Sequence, residues 1–294
     1  MAKILYHVGV SGGKDSTALL LWMVKESSIS NNQIIATFCD TQNEADCTYE
    51  HIAMLSREVF PIRTIQTEGF LNLALRKGRF PGAKSRFCTQ ELKLKPTKAF
   101  LDRLGLQFSN FQVVSVSGVR AGESEDRKHL PEWGDPLDSY FGLCEWRPLI
   151  KWQIEDVLTI HAKYKILLNP LYSKGARRVG CFPCIMSSKP EIRAMSQSYP
   201  ERVDEIEKWE MAFENKNGVS TFFPRNAIPL SYRTKTIKTK SGELMKVATI
   251  RDVVRWAKSG WRAKGQAPDI DGLFTDQLKD LPPQICLAQH LACE

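Results

Sequence analysis

The sequence SGGKDS, residues 11–16, joins an apolar run at 4–10 to an amphipathic run at 17–25. The apolar run is typical of a buried strand and the amphipathic run of a helix. Two glycines between a strand and a helix let backbone amides turn toward an anion, where the helix N-terminus adds positive potential. The sequence therefore predicts a phosphate-binding loop. The residues predicted to hold the phosphates are Ser11, Gly12, Gly13, Lys14, Asp15 and Ser16.

This loop differs from a Walker A loop, which has a glycine five residues before Gly13 and a hydroxyl residue directly after Lys14. Val8 and Asp15 occupy those two positions. Lys14 still supplies a positive charge, and the two serines of the loop supply hydroxyl donors. Phosphate is therefore the expected ligand, bound by a different kind of loop.

The first 120 residues alternate short apolar runs with amphipathic stretches, which is typical of parallel strands joined by helical crossovers. We predict an α/β fold, a doubly wound parallel sheet with a smaller, mostly helical C-terminal region. The predicted strands are 4–10, 34–40, 62–67 and 111–117, and the predicted helices are 17–25, 44–60 with Asn43 as N-cap, 95–104, 154–164 and 190–215. The predicted domains are residues 1–150, which carry the phosphate loop, and residues 151–294. Ligands of such sheets bind at the carboxyl ends of the strands, where Ser11, Asp40 and Gly118 would lie.

Charge and composition favour a protein that meets anions inside the cell. Lysine and arginine (41) outnumber aspartate and glutamate (33), which gives a formal net charge of +8. We find no apolar run near the roughly 18 residues that cross a bilayer and no export signal, so a cytoplasmic location without membrane contact is expected. The eight cysteines therefore suggest metal ligation or thiol chemistry rather than a disulfide framework.

The loop and several later blocks resemble the PP-loop ATP pyrophosphatases and sulfonucleotide reductases, and in particular the PAPS reductase-like family. The resemblance covers about residues 1–190. The later blocks are Asp40-Thr41, Arg86-Phe87-Cys88-Thr89 with Leu92-Lys93, Gly118-Val119-Arg120 with Glu123-Ser124 and Arg127, and Arg147-Pro148-Leu149. The resemblance implies an adenine nucleotide as ligand. It is either ATP, cleaved between its α- and β-phosphates so that AMP activates an acceptor, or an adenylyl sulfate (PAPS or APS).

Each block can be given a physical role at such a nucleotide. Cations can clamp phosphates as charge shifts in a transition state, and Mg²⁺ bridging the phosphates would take a carboxylate such as Asp15. The predicted catalytic residues are Lys14, Asp15, Arg120, Arg127 and Cys88, and the further nucleotide-binding residues are Asp40, Lys93, Gly118 and Arg120. The alternatives are a solvated charged loop for Arg120 and Arg127 and a simple strand-end cap for Asp40.

The spacing Cys181-Phe-Pro-Cys184 lets two thiolates reach one metal centre, and two more ligands are then required. We predict that Cys286 and Cys293 supply them, while Cys88 and Cys144 compete for the same role. Spacing alone favours Zn²⁺ at least equally, whereas the resemblance implies a [4Fe-4S] cluster. In adenylyl sulfate reductases the block matching Cys88 has two adjacent cysteines, but Phe87 precedes Cys88 here. Cys88 can instead be a thiol that faces the nucleotide and carries a persulfide.

Three functions remain open from the sequence. The first is a PP-loop enzyme that adenylates an acceptor, such as DNA or tRNA, and works with a sulfur-donor protein such as a cysteine desulfurase. The second is a sulfonucleotide reductase, although we find no late Glu-Cys-Gly-Ile/Leu-His segment of the kind that carries the reductase nucleophile. The third is a nucleotide-binding subunit without turnover. The first is preferred.

A basic and aromatic stretch in the C-terminal region is the predicted nucleic-acid surface, because cations beside aromatic rings suit phosphates and stacked bases. The alternative is an ordinary solvated surface. The cations are Arg225, Arg233, Lys235, Lys238, Lys240, Lys246, Arg251, Arg255, Lys258, Arg262 and Lys264, and the aromatic residues are Phe222, Phe223, Tyr232, Trp256 and Trp261.

Overall fold

The computed structural model describes residues 3–107, 111–137, 141–217, 220–224, 227–238 and 242–259. Its centre is a six-stranded sheet in the order β3-β2-β1-β4-β6-β5. All neighbouring strands pair in parallel except β5 with β6. The strands are β1 Lys3–Gly9, β2 Ile34–Asp40, β3 Ile62–Gln66, β4 Phe111–Val116, β5 Trp133–Gly134 and β6 Glu145–Trp146. The predicted doubly wound α/β sheet is confirmed.

Nine helices and a small hairpin of β7 and β8 complete the part of the chain that the structure describes. Between α4 and α5 the chain makes a π-helical turn, Gln90–Leu94, so that the three pieces run on without a break. The helices are α1 Lys14–Lys25, α2 Asp46–Glu58, α3 Phe70–Lys77, α4 Phe87–Thr89, α5 Lys95–Gln107, α6 Ile154–Lys163, α7 Lys189–Ser198, α8 Pro200–Asn217 and α9 Ile250–Lys258; the hairpin strands are β7 Lys235–Lys238 and β8 Leu244–Val247.

Helices cover both faces of the sheet, as the alternation of β1 requires. Tyr6 and Val8 pack into the cluster that contains the apolar residues of α1, α2 and α6. Leu5 points the other way and packs with Leu101 and Leu104 of α5. Because β1, β2 and β4 are parallel neighbours, the loops after all three strands meet at one edge. That edge holds the phosphate loop.

A second core, rich in aromatic rings, joins α3 to the three last helices. Phe70, Phe80 and Phe222 lie within 6.2 Å of one another by ring centroids, and Trp209 and Phe213 of α8 pack against them. This cluster therefore connects a segment before residue 150 with the helical C-terminal region. The predicted division of the chain at residue 150 stays a prediction.

Two local predictions were wrong. The helix predicted at 190–215 is two helices, α7 and α8, and Pro200 begins the second, because proline has no amide hydrogen to continue a helix and fits its first turn. Asn43 is not the N-cap of α2, which begins at Asp46 after Ala45. The side-chain oxygen of Asn43 instead accepts a hydrogen bond from Arg202.

No helix in the described ranges combines the length and the apolar character that crossing a membrane requires.

Candidate functional site

The phosphate loop has a backbone that only glycine permits at its centre. Gly12 has a φ of +73°, and a Cβ there would lie 3.3 Å from the Thr48 methyl group and 3.4 Å from Ile52. Both the left-handed backbone and the close approach of α2 disfavour a larger residue at this position. The loop therefore packs directly against α2.

Ser16 closes the loop from inside. Its hydroxyl donates to the Gly13 carbonyl at 3.0 Å and accepts from the Ser11 amide at 3.1 Å. The Ser11 hydroxyl lies 3.2 Å from the same oxygen. The two predicted phosphate donors are therefore brought together and hold the turn in shape.

Lys14, Asp15 and Arg120 form a connected charge cluster at the start of α1. The Lys14 ammonium lies 2.8 Å from Asp15 Oδ2, and Arg120 Nε donates to Asp15 Oδ1 at 2.6 Å. Burial alone would raise the pKa of Asp15, but the charges and hydrogen bonds of Lys14 and Arg120 outweigh burial and lower it. Asp15 is consequently ionised at neutral pH, and the cluster carries one excess positive charge.

Gly118 lets the loop after β4 pack directly on the phosphate loop. A Cβ at this position would lie 2.8 Å from the backbone oxygen of Asp15 and 3.2 Å from its carbonyl carbon. Such contacts are too short, so Gly118 is needed for backbone approach rather than for a side-chain contact. This close approach is also what brings Arg120 to Asp15.

Two other predicted residues have local partners. Asp40 accepts from the Gln42 amide and the Tyr49 hydroxyl, each at 2.8 Å, so it caps its own turn in the described structure. Arg127 pairs at the surface with Glu123 at 2.5 Å. Their roles toward a nucleotide stay predictions.

Sequence reasoning missed two residues that contact the loop from far along the chain. The Tyr172 hydroxyl accepts a hydrogen bond from the Lys14 amide at 3.0 Å, and His161 Nε2 lies 2.9 Å from the Lys14 carbonyl oxygen. They follow Lys14 by 158 and 147 residues. No motif or spacing in the sequence marks either residue, because only the packing of α6 and the turn after it brings them to the loop.

Three cysteines line one cavity of about 230 Å³ at the same edge. Cys88 comes from α4, and Cys181 and Cys184 come from the segment after α6. The cavity wall includes the cations Arg86, Lys93, Lys174 and Arg178. The predicted blocks around residues 88 and 181 thus face a common space, and this space is positively charged.

The three cysteine thiols and Lys93 are close enough to shift one another's pKa values. Burial raises the pKa of Cys181, while the charge of Lys93 works in the opposite direction. Burial also raises the pKa of Cys88, helped by the nearby sulfurs of Cys181 and Cys184. The pKa of Lys93 is raised, chiefly by Cys181, so Lys93 stays a cation in the cavity.

The cavity adjoins the phosphate loop. Cys181 Sγ lies 3.5 Å from the hydroxyl of Thr41, the residue directly after β2. Val179 would lie 3.6 Å from a Cβ on Gly13. The segment that carries the two cysteines therefore passes over the phosphate loop before it reaches the cavity.

The predicted four-cysteine centre is described only in part. Cys181 and Cys184 share the cavity, whereas Cys286 and Cys293 lie outside the described residues. Among the residues that the structure describes, no group of three or more His, Cys, Asp or Glu side chains is arranged to hold a metal ion. Cys144, the other competitor, lines a separate groove at the edge of the sheet.

The predicted nucleic-acid surface is smaller than its sequence suggests. Phe222 and Phe223 are only 0% and 3% exposed, so they cannot stack on bases. Arg251 pairs with Asp204 and Glu207. Two further cations are engaged within the protein: Arg233 donates a hydrogen bond to the Ile228 carbonyl, and Arg255 forms an ion pair with Asp252. Lys238 and Lys246 are exposed on one face of the hairpin. Arg225, Lys240, Trp261, Arg262 and Lys264 lie outside the described residues.

Comparison with known proteins places this site in a family. A family model described as the phosphoadenosine phosphosulfate reductase domain matches residues 6–187. An uncharacterized 37.8 kDa protein in the gpa 5' region of Escherichia phage 186 is 30% identical over 302 residues, covering 86% of this chain and 89% of that protein.

Two further relatives match over shorter parts. An uncharacterized protein of Methanocaldococcus jannaschii is 27% identical over 208 residues, covering 69% of this chain but only 40% of its own length. An adenosine 5'-phosphosulfate reductase of Rhizobium meliloti is 29% identical over 154 residues, covering 52% of this chain and 54% of the reductase. The chain thus spans about half or less of these two relatives.

Proposed function

The chain belongs to the phosphoadenosine phosphosulfate reductase domain family, and from this membership we propose that it binds ATP at residues 11–16 and cleaves it to AMP and pyrophosphate. The AMP is transferred to an acceptor oxygen as pyrophosphate leaves; the acceptor is nucleic acid, and incoming sulfur then displaces AMP together with that oxygen. The reaction takes place in the cytoplasm. A cysteine desulfurase or similar protein supplies the sulfur.

The cluster of Lys14, Asp15 and Arg120 carries this proposal. Two cations converge on one ionised carboxylate at the N-terminus of a helix, where an anion is favoured by the helix dipole as well. When a triphosphate enters, Lys14 and Arg120 can turn from Asp15 to phosphate oxygens. Asp15 would then be the residue that holds Mg²⁺, and the ion would offset the charge of the phosphates.

The thiol cavity supports a sulfur step beside that nucleotide. Cys88, Cys181 and Cys184 line a positively charged space that adjoins the phosphate loop. Burial raises the pKa of Cys88 and of Cys181, and the charges of Arg86 and Lys93 act against that rise, toward the reactive thiolate. Cys88 is the proposed carrier: its thiol would take the terminal sulfur of a persulfide on the donor protein, releasing the donor's thiol, and would itself become the persulfide.

The donor set also fits a soft metal centre. Cys181 and Cys184 would hold it with Cys286 and Cys293, since thiolates suit both Zn²⁺ and iron–sulfur clusters. A [4Fe-4S] cluster would supply one-electron chemistry there, whereas Zn²⁺ would supply structure. The described thiols would orient the segment 181–184 above the nucleotide in either case.

A sulfonucleotide reductase is the second candidate, and a nucleotide-binding subunit without turnover is the third. The reductase is favoured by one observation, the similarity to the Rhizobium meliloti adenosine 5'-phosphosulfate reductase. In this reaction a thiol would attack the sulfur of PAPS or APS and displace the nucleotide, and Cys286 or Cys293, outside the described residues, would have to supply that thiol.

Product analysis separates these candidates. The protein is incubated with Mg²⁺ and, separately, with ATP, PAPS and APS, and pyrophosphate and sulfite are measured. Pyrophosphate from ATP is expected when the acceptor is present, so each reaction is run with and without added DNA or tRNA. Lys14→Ala and Asp15→Ala should each lower its release by orders of magnitude while the protein stays folded. Lys25→Ala, exposed in the last turn of the same helix, is the matched control. Sulfite from PAPS or APS would identify a reductase, and binding without either product would identify a binding subunit.

A further inference from the structure

The backbone of Lys14 is held on both sides by two residues that belong to neither the loop nor its helix. Tyr172 accepts a hydrogen bond from the Lys14 amide at 3.0 Å. His161 Nε2 lies 2.9 Å from the Lys14 carbonyl oxygen. A carbonyl can only accept, so His161 holds the Lys14 carbonyl in the tautomer that carries the proton on Nε2; Nδ1 of the same ring lies 3.1 Å from the Ile166 carbonyl oxygen.

Both residues sit in packed surroundings that resist displacement. His161 is 3% exposed and Tyr172 is 7% exposed. Tyr172 lies in a turn whose backbone is fixed by the bonds of its amide to Asn169 and of its carbonyl to Gly175, each at 3.1 Å. Moving either ring away from the loop would expose apolar surface to water.

Tyr172 also guides the side chain of Lys14. The ammonium lies over the Tyr172 ring at 5.6 Å from its centroid, a distance at which a cation is attracted to an aromatic face. Since the Lys14 amide already donates to the Tyr172 hydroxyl, Lys14 presents its side chain rather than its backbone amide to an incoming anion. The ring and hydroxyl of Tyr172 and the imidazole of His161 together fix the position of the Lys14 ammonium group.

We propose that Tyr172 and His161 are positioning residues, which set the backbone and ammonium group of Lys14 for phosphate binding. Tyr172 acts through the amide and the cation, and His161 acts through the carbonyl. The proposal rests on the proposed nucleotide site at residues 11–16. It adds to that site two residues that act through Lys14 and make no covalent step.

Substitution of the two side chains tests the proposal by calorimetric titration with ATP and with inorganic pyrophosphate. Tyr172→Phe keeps the ring but removes the hydroxyl, so we expect roughly fivefold weaker binding, the value of one ordinary hydrogen bond. His161→Leu should weaken binding by a similar factor of about five to ten. His161→Gln, whose amide nitrogen can reach the position of Nε2, should recover most of the loss.

A double-mutant cycle separates positioning from general stability. In a Lys14→Ala background, Tyr172→Phe should change the affinity less than it does in the wild type, because alanine keeps the amide of residue 14 but removes the ammonium group that is positioned. A merely structural effect would persist there in full. Tyr164→Phe is the matched control, since that hydroxyl contacts Glu26 at the surface of the same region, and its affinity should equal the wild type. Thermal unfolding of each variant shows that it is folded.

The outcomes distinguish the two proposals. Unchanged or tighter binding by Tyr172→Phe, or an equal loss with and without Lys14, would overturn the positioning role and leave the nucleotide site standing. Wild-type protein that binds neither ATP nor pyrophosphate would overturn both. Tight binding with the expected cycle but without pyrophosphate release would support positioning and remove only the cleavage reaction.

Discussion

Arg120 donates from Nε to Oδ1 of Asp15 at 2.6 Å, although the two residues are 105 positions apart. Asp15 lies in the first turn of α1, directly after β1, and Arg120 follows β4. The two strands are parallel neighbours, so the segments that leave their carboxyl ends meet. The side chains are only 17% and 8% exposed, so this ion pair is shielded from solvent and its loss would leave a buried charge.

Replacing Arg120 by alanine should therefore both abolish nucleotide cleavage and destabilise the protein. Removing one partner of a buried pair costs roughly 3 kcal/mol, somewhat less here because Lys14 still contacts Asp15. Urea unfolding measures the change in the free energy of unfolding. Arg127→Ala is the control, because its pair with Glu123 is exposed to solvent and is worth about 1 kcal/mol or less. Equal destabilisation of both variants would show that the buried Arg120–Asp15 pair contributes no more to the free energy of unfolding than the exposed Arg127–Glu123 pair.

Gly118 provides a test of the close approach between the two loops. A methyl group at Gly118 would meet the Asp15 backbone at 2.8 Å, so Gly118→Ala should displace the start of α1. Overpacking of this kind costs roughly 1–3 kcal/mol, and binding of pyrophosphate should fall as well. Gly9→Ala is the matched control, since nothing lies within 4 Å of its would-be Cβ. Normal pyrophosphate affinity in Gly118→Ala would argue against a phosphate site at this position.

Local pattern accounts for most of what the sequence predicts correctly. β2 was predicted at its observed bounds, and the phosphate loop was placed between the right strand and helix, because hydrophobic period and glycine position are local signals. Even the close approach of Gly118 to the start of α1 follows from one topological rule, that parallel strands end at the same edge. Arg120 and Asp15 were each predicted to be functional, but their ion pair was not.

Tertiary contacts explain the rest. Tyr172 and His161 are ordinary residues in sequence and reach the loop only through the packing of α6 and the following turn. The burial of Phe222 likewise depends on aromatic rings from α3 and α8, which no local pattern reveals. The basic stretch around it was therefore interpreted as a continuous surface, although part of it is core.

The stability of the protein should fall as the pH drops below about 6.5. Burial lowers the pKa of His7 and of His51 to about 4, while an unfolded histidine titrates near 6.5. Between these values the unfolded chain binds more protons, so acid favours unfolding; above pH 6.5 the contribution is constant. At pH 5 each histidine should cost roughly 2 kcal/mol. Within the described residues, His7 Nδ1 and His51 Nε2 are buried without a hydrogen-bond partner, so a proton added at either nitrogen gains no acceptor.

Urea unfolding at pH 7.5 and pH 5 measures this dependence, and His7→Gln, which cannot titrate, should make it shallower. The comparison uses the change with pH rather than the absolute stability, because the variant also alters the hydrogen bond between His7 and Thr37. The same pH dependence in both proteins would contradict the assignment of His7.

The exposed face of the β7–β8 hairpin is where nucleic acid would bind if the predicted surface is correct. Lys238 and Lys246 are exposed there, opposite Leu244 and Thr236 in the register. Replacing both lysines by glutamate should weaken binding of labelled duplex DNA and reduce the slope of log affinity against log salt by about 0.9 for each phosphate that the variant no longer neutralises. Labelled tRNA is titrated in parallel, and Lys25→Glu is the control. Weak binding at low salt that is unaffected by the double substitution would shift the acceptor to a small molecule.

The thiol cavity yields the last prediction, one metal centre per chain held by Cys181, Cys184, Cys286 and Cys293. The first two line the cavity with Cys88, and two thiolates alone do not complete a tetrahedral site. After anaerobic purification, iron, zinc and acid-labile sulfide are measured in the wild type and in three cysteine-to-serine variants. Cys181→Ser should lose the metal and, because metal-binding free energy is also folding free energy, should unfold at a lower temperature. Cys47→Ser should retain it, since that thiol lies near Tyr199 at 3.8 Å and does not line the cavity. If Cys88→Ser loses the metal and a chain truncated before Cys286 keeps full occupancy, Cys88 is a ligand and the two terminal cysteines are not. A wild-type protein without bound metal would contradict the proposed centre altogether.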